Sequence, residues 1–263
     1  MAGTSAGVAG RMNASCGLVT AKRLAVYRYR LYVPATDFAD TGLRPELLSA
    51  LSELGYEEPT DIQAETLPPL MAGRDMLGQA ATGTGKTAAF ALPMLHNLGR
   101  ASKRRVLTGL VLVPTRELAL QVGEAFVRYG KHLDARFVTV YGGAPVRQQI
   151  EALKRGVDIV VATPGRALDL IERGSLNLSH VRTVVLDEAD EMLDMGFIPD
   201  VRRIVGAMPK QRQTLLFSAT MPDRIRQIAK RHVGDPVLIK IAAKTATVDT
   251  IDQSFVIVNQ GDK

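Results

Sequence analysis

From residue 37 onward the chain alternates between short apolar runs and longer amphipathic stretches. Leu43, Leu47, Leu48, Leu51 and Leu54 recur at helical spacing, and Gly55 supplies a stop. Pro59-Thr60-Asp61 then opens a second short helical stretch through Leu70. After Gly73 seven apolar runs follow, at residues 75–79, 107–113, 137–141, 158–162, 183–186, 214–217 and 237–241. Most are β-branched or leucine-rich and too short for helices, so the pattern predicts strands. Helical patterns fill most of the gaps, among them 88–98, 117–129 and 224–232. Such alternation implies βαβ units with right-handed crossovers. The expected fold is α/β, a mostly parallel central sheet with helices on both faces. Ligands of such sheets bind at the carboxyl ends of the strands, so chemistry is expected just after the apolar runs.

Composition narrows this only slightly. At 263 residues, 46% of them hydrophobic, the chain suits one large domain. No run of eighteen apolar residues occurs, so no membrane partner is expected. The single cysteine, Cys16, excludes an intramolecular disulfide and fits a reducing, cytoplasmic setting. The net charge of +6 is unevenly placed: Arg11, Lys22, Arg23, Arg28 and Arg30 face no acid before Asp37. About +1 is left for everything afterwards, so a case for nucleic acid has to come from motifs. Residues 1–36 read as a basic, disordered extension that superficially resembles an organelle transit peptide.

The strongest local signal is Ala80-Ala81-Thr82-Gly83-Thr84-Gly85-Lys86-Thr87, between a strand-like run and a helical pattern. Gly83 and Gly85 let backbone N–H groups turn inward around phosphate oxygens. The following helix adds the positive end of its dipole. Lys86 can reach the β- and γ-phosphates, and the Thr87 hydroxyl can ligate Mg²⁺. The general phosphate-loop pattern places glycine where this chain has Ala80. A second apolar run ends in Asp187-Glu188. There Asp187 would hold Mg²⁺ through a bound water, and Glu188 would orient or deprotonate an attacking water. No Asn-Lys-x-Asp guanine reader occurs, and no G-x-G-x-x-G follows a strand. A P-loop NTPase is the expectation.

Asp187-Glu188-Ala189-Asp190 is the tetrapeptide after which DEAD-box proteins are called, and other elements accompany it in order. Residues 55–63 resemble that family's Q motif, with Phe38 lying 17 residues before Gly55. Gln63 can donate to and accept from adenine at once, Phe38 can stack on the base, and Thr60 would help position Gln63 and the loop. Pro114-Thr115-Arg116, then Gly142-Gly143, then Thr163-Pro164-Gly165-Arg166 resemble the family's RNA-backbone elements. Ser218-Ala219-Thr220 resembles its coupling motif, whose hydroxyls would meet the 187–190 segment.

The resemblance, over about residues 37–263, implies a RecA-like domain that binds ATP and Mg²⁺ and contacts RNA without reading its sequence. It implies as well a second RecA-like domain as partner, supplying arginine fingers and half of the RNA surface. On this reading residues 37–245 form the ATP-binding domain and 246–263 an exit segment or linker. The chain alone would bind nucleotide, hydrolyse it poorly and unwind nothing. Two other readings stay open: an RNA clamp without unwinding, and an inactive interaction fragment.

Overall fold

The computed structural model describes residues 37–81, 83–98 and 105–241. The expectations for residues 1–36, for Thr82 and for 246–263 lie outside the described residues, as does the domain boundary at 245.

The described chain opens with a 3-10 turn, Phe38–Thr41, capped by the Asp37 carboxylate, which accepts from the Ala39 N–H. Helices α1 (Pro45–Glu53) and α2 (Asp61–Met71) follow. Helix α1 starts at proline, whose fixed φ suits a first helical turn, and Gly55 beyond its end adopts φ +73°.

Strand β1 (Met76–Gln79) then leads through the 80–85 loop into α3 (Lys86–His96). The remaining units are β2 (Gly109–Leu112) with α4 (Arg116–Tyr129), β3 (Phe137–Val140) with α5 (Val146–Lys154), and β4 (Ile159–Ala162) with α6 (Pro164–Glu172). After them come β5 (Thr183–Leu186) with α7 (Ala189–Asp194) and α8 (Ile198–Gly206), then β6 (Gln213–Ser218) with α9 (Asp223–His232), and finally β7 (Val237–Lys240). Each expected strand is present, and every ladder between them is parallel.

The strand order is β3-β4-β2-β5-β6-β1-β7. Successive strand residues face opposite sides, and both sides are apolar because helices cover both. Val111, Val185, Leu215 and Phe217 join the core under α1, α2, α3 and α4. Leu110, Leu112, Val184, Leu186 and Leu216 join the core under α6, α7, α8 and α9. On the first face the rings of Phe137, Phe126, Phe90 and Phe217 follow one another at 5.6–6.4 Å, tying β3, α4, α3 and β6 together. Burying a side chain of this size stabilises by ~1.5–3 kcal/mol.

This order divides the carboxyl edge of the sheet. Strands β5, β6 and β1 lie side by side and carry the 187–190, 218–220 and 80–87 segments. Strands β3, β4 and β2 lie side by side and carry the 142–143, 163–166 and 114–116 segments.

Candidate functional site

The first group of loops meets around one buried ion pair. Lys86 is the first residue of α3, and its Nζ donates to the Ala80 carbonyl at 3.3 Å. It lies 3.9 Å from Asp187 Oδ1, spanning from the end of β1 to the end of β5 above β6. Asp187 is 2% exposed and accepts the Glu188 N–H at 3.0 Å. Burial pushes its carboxyl up to about 6; Lys86 opposes this, while the charges of Glu188 and Asp190 add to it. A buried carboxylate so weakly compensated fits a further cation, held by few protein groups with phosphate and water completing its shell. Thr87, next to Lys86 in the chain, is half-buried.

The same burial has a consequence for stability. The folded Asp187 carboxyl ionises near 6 instead of 3.8, so ionising it opposes folding, and stability is lost as pH rises through that window. Asp187→Asn has no carboxyl to ionise. Denaturant titrations at pH 4 and pH 7 are expected to show wild type losing ~2 kcal/mol relative to Asp187→Asn. Equal losses in the two proteins would contradict this.

Glu188 has φ 52° and ψ 53°, the left-handed region that a residue with a Cβ seldom occupies. Such a conformation costs ~1–3 kcal/mol and clusters at functional sites. Here it turns the chain sharply from β5 into α7 and leaves the Glu188 side chain half-exposed beside buried Asp187.

The Q-like segment holds the phosphate loop from outside. Thr60 Oγ1 donates to the Thr84 carbonyl at 3.0 Å, and Gln63 Nε2 donates to the Gly85 carbonyl at 3.2 Å. Gln63 Oε1 accepts the Thr60 N–H at 3.0 Å, and Thr84 Oγ1 closes the loop by donating to the Ala81 carbonyl at 2.9 Å. The approach leaves no room at Gly85, where a Cβ would stand 2.6 Å from Gln63 Nε2 and 2.8 Å from Thr60 Oγ1. Its φ of +94° disfavours a side chain as well. Gly85→Ala is therefore expected to lower stability by ~1–3 kcal/mol, read as a drop in Tm, and to weaken nucleotide binding. An unchanged Tm would show that the loop gives way freely.

Two details differ from the sequence reading. Gln63 is buried with both ends of its carboxamide bonded within the chain, which leaves one N–H and one lone pair for any base. Phe38 is 3% exposed and meets Tyr56 edge to face at 6.4 Å, so its ring faces are occupied by the core and not offered to a base. The open aromatic there is Tyr56, 37% exposed, whose hydroxyl pairs with that of Tyr129 at 3.2 Å.

Asp190, Ser218 and Thr220 form one network. Ser218 Oγ accepts the Asp190 N–H at 3.2 Å, while Asp190 Oδ2 accepts from the Thr220 N–H at 2.8 Å and its hydroxyl at 2.9 Å. Burial would raise the Asp190 carboxyl, but the Thr220 and Ser218 donors hold it below its usual range. Gln79, at the end of β1, adds an Nε2 donation to the Ala219 carbonyl at 3.2 Å. The ends of β1, β5 and β6 are thus linked by hydrogen bonds.

The other group of loops is built differently. Pro114 is buried; Thr115 caps α4, its Oγ1 accepting the Leu118 N–H, and exposed Arg116 lies 5.0 Å over the Tyr141 ring. Gly142 and Gly143 are exposed, with open space where side chains would stand, and Gly143 has φ +77°. Thr163 sits at the N-cap position of α6 without a side-chain capping bond, Pro164 follows at its first turn and Gly165 is exposed. Arg166 departs from the expectation. Its NH1 donates to the Ala144 carbonyl and to Gln149 Oε1, both at 3.1 Å, and its Nε lies 3.8 Å from Asp169. It buttresses the glycine loop from beneath, whereas Arg116 stands exposed.

Comparison with known proteins shows the family. A family profile described as DEAD/DEAH box helicase matches residues 60–228. The chain belongs to the DEAD/DEAH box helicase family. It is 50% identical over 228 residues to the DEAD-box ATP-dependent RNA helicase CshA of Bacillus cereus, covering 87% of this chain and 43% of that protein. It is also 50% identical over 234 residues to the ATP-dependent RNA helicase DeaD of Mycobacterium tuberculosis, covering 89% and 41%. The chain thus spans less than half the length of these curated relatives. Its fold matches the crystal structure of a DEAD box protein from the hyperthermophile Methanococcus jannaschii, with TM-score 0.75 and 42% identity over 88% of this chain and 61% of that one. Among the described residues no helix is long and apolar enough to cross a membrane.

Several contributors to this DEAD-box site carry no local signal in the sequence. Gln79 is one residue ahead of the phosphate loop, yet only the fold shows that it holds the Ser218-Ala219-Thr220 turn. Gln149 donates to the Tyr141 carbonyl at 3.1 Å and accepts from Arg166, joining two loops through a residue inside α5. The Arg116–Tyr141 contact could have been suspected, since Arg116 was itself singled out and Tyr141 directly precedes Gly142.

Proposed function

We propose that this chain is the nucleotide-binding half of an ATP-dependent RNA helicase. The observation that carries this reading is the buried Lys86–Asp187 pair, which joins the phosphate loop to the DEAD segment. Lys86 would exchange its contact with the Ala80 carbonyl for the β- and γ-phosphates, aided by the N–H groups of residues 83–87 and the dipole of α3. Gln63 would reach adenine with its remaining donor and acceptor. Thr87 and Asp187 would hold Mg²⁺, which would supply charge neutralisation to the phosphates. Glu188 would position the attacking water and accept its proton.

Because Asp190, Ser218, Thr220 and Gln79 join the ends of β1, β5 and β6, occupancy at the phosphate loop would reach the 218–220 turn directly. RNA would lie along the ends of β2, β3 and β4. There Arg116 and the N–H groups of the Gly142-Gly143 and Thr163-Pro164-Gly165 loops would meet its backbone. A second RecA-like domain, as the lengths of the relatives allow, would close over both groups of loops.

Titration calorimetry tests the reading. Mg-ATP is expected to bind wild type, and Lys86→Ala to weaken it at least tenfold by removing a charge-assisted contact of ~1.5–3 kcal/mol. Wild-type affinity in Lys86→Ala would sink the assignment.

A further inference from the structure

The domain is electrically polarised from one face of its sheet to the other. Residues 37–71, which include α1 and α2, hold one arginine against eight acids, whereas residues 198–241, which include α8 and α9, hold nine Lys and Arg against three aspartates. Arg203 pairs with Glu172 and Arg226 with Asp223. Arg202, Arg224, Lys230 and Arg231 are exposed and pair with no acid among the described residues.

The topology draws part of this charge together. Helices α8 and α9 each return from the carboxyl edge to the opposite end of the sheet, where Arg212 leads into β6. Burial pushes down the pKa of His232, the last residue of α9, and the charges of Arg212, Arg231 and Arg202 bear on its ring in the same direction. Among the described residues three buried polar side-chain atoms have no partner: Arg212 Nε, His232 Nε2 and Thr214 Oγ1. Thr214 precedes Leu216 by two residues on β6 and so faces the same side as α8 and α9. The acid that acts on Arg212 is Asp75, whose two oxygens already accept the N–H groups of Thr214 and Gly234. Orphaned buried donors are rare, and like charges that converge with only Asp75 to oppose them repel. Both features suit a ligand that brings the anion.

We propose that the α8–α9 face docks an RNA backbone, one phosphate sitting where Arg202, Arg212 and Arg231 meet His232. RNA is favoured over an acidic protein because no large exposed apolar side chain lies on α8 or α9, and protein interfaces carry an apolar centre. The cations run along α9 from Arg224 to Arg231, ~10 Å of helix, which suits a chain of successive phosphates. The choice of RNA rests on the function proposed above. The surface itself is separate, since it lies on helices and not on the loops after β2, β3 and β4.

The test uses the whole chain with Arg202→Gln, Arg224→Gln and Arg231→Gln combined, all exposed and none at the nucleotide loops. Binding of a fluorescent single-stranded RNA is followed by anisotropy from about 50 to 200 mM salt. The triple variant is expected to bind roughly tenfold more weakly at low salt, with a salt slope shallower by about 2, at ~0.7 for each lost phosphate contact. It should keep wild-type Mg-ATP affinity, and the His232 ring resonances of wild type should shift as RNA is added. An unchanged salt slope, or His232 resonances unmoved by saturating RNA, would overturn the proposal. Arg116→Ala losing RNA while the triple variant retains it would overturn this surface and spare the function proposed above.

Discussion

Joined in one polypeptide to a second RecA-like domain, this chain is expected to hydrolyse Mg-ATP roughly 10³–10⁵ times faster than it does alone, the factor that an arginine finger contributes in comparable phosphoryl transfers. The reason lies in the charges that the domain itself brings. Among the described residues the acids at the end of β5 pair with one cation, Lys86. Arg116 stands over Tyr141 and Arg166 beneath the glycine loop, both on the β3-β4-β2 side of the sheet. Negative charge that develops on a transferring phosphoryl group would therefore meet Lys86 and backbone N–H groups but no guanidinium. Phosphate release measured with saturating RNA, for the single domain and for the two-domain protein, decides the point. Comparable rates would show that the single domain already holds the whole catalytic apparatus.

Within that two-domain protein, Glu188→Gln is expected to reduce hydrolysis by roughly 10²–10⁴-fold while nucleotide affinity stays within about twofold. Gln keeps the size of the side chain and can still orient water, but it cannot accept a proton. The expectation is sharpened by the backbone: the left-handed conformation of Glu188 depends on its φ and ψ and not on its carboxylate, so the substitution should leave the turn in place. Single-turnover hydrolysis alongside calorimetric affinity separates the outcomes. A parallel loss of binding and rate would mean that Glu188 shapes the site and does not serve as its base.

The strands were legible because all seven lie in short, largely apolar runs between polar loops, so apolarity alone marks them. Their ends were less so. The run 107–113 stays apolar and buried at Leu107 and Val113, yet the strand is Gly109–Leu112, because burial alone does not mark where regular pairing ends. The loop motifs were legible because phosphate chemistry restricts which residues can occupy them. What the sequence could not reveal was which of those residues spend their hydrogen bonds inside the protein. The burial of Phe38 depends on Tyr56, and through it on Tyr129, far along the chain. The capture of Arg166 depends on Gln149, a residue whose neighbours look like any amphipathic helix. Proximity of this kind is a product of the fold and has no counterpart in local pattern.

The β2–β5 ladder sets how the domain can move. These strands run in register from Gly109 opposite Thr183 to Leu112 opposite Leu186, and both are buried. The phosphate-bearing strands and the strands proposed to face RNA are thereby stitched into one plate. Flexing that plate along its midline would break a buried hydrogen-bonded ladder with no water to replace it. The two groups of loops must therefore travel together, at a fixed separation. Whatever work nucleotide does on RNA has to be delivered by swinging this plate against another body, with the hinge outside the sheet.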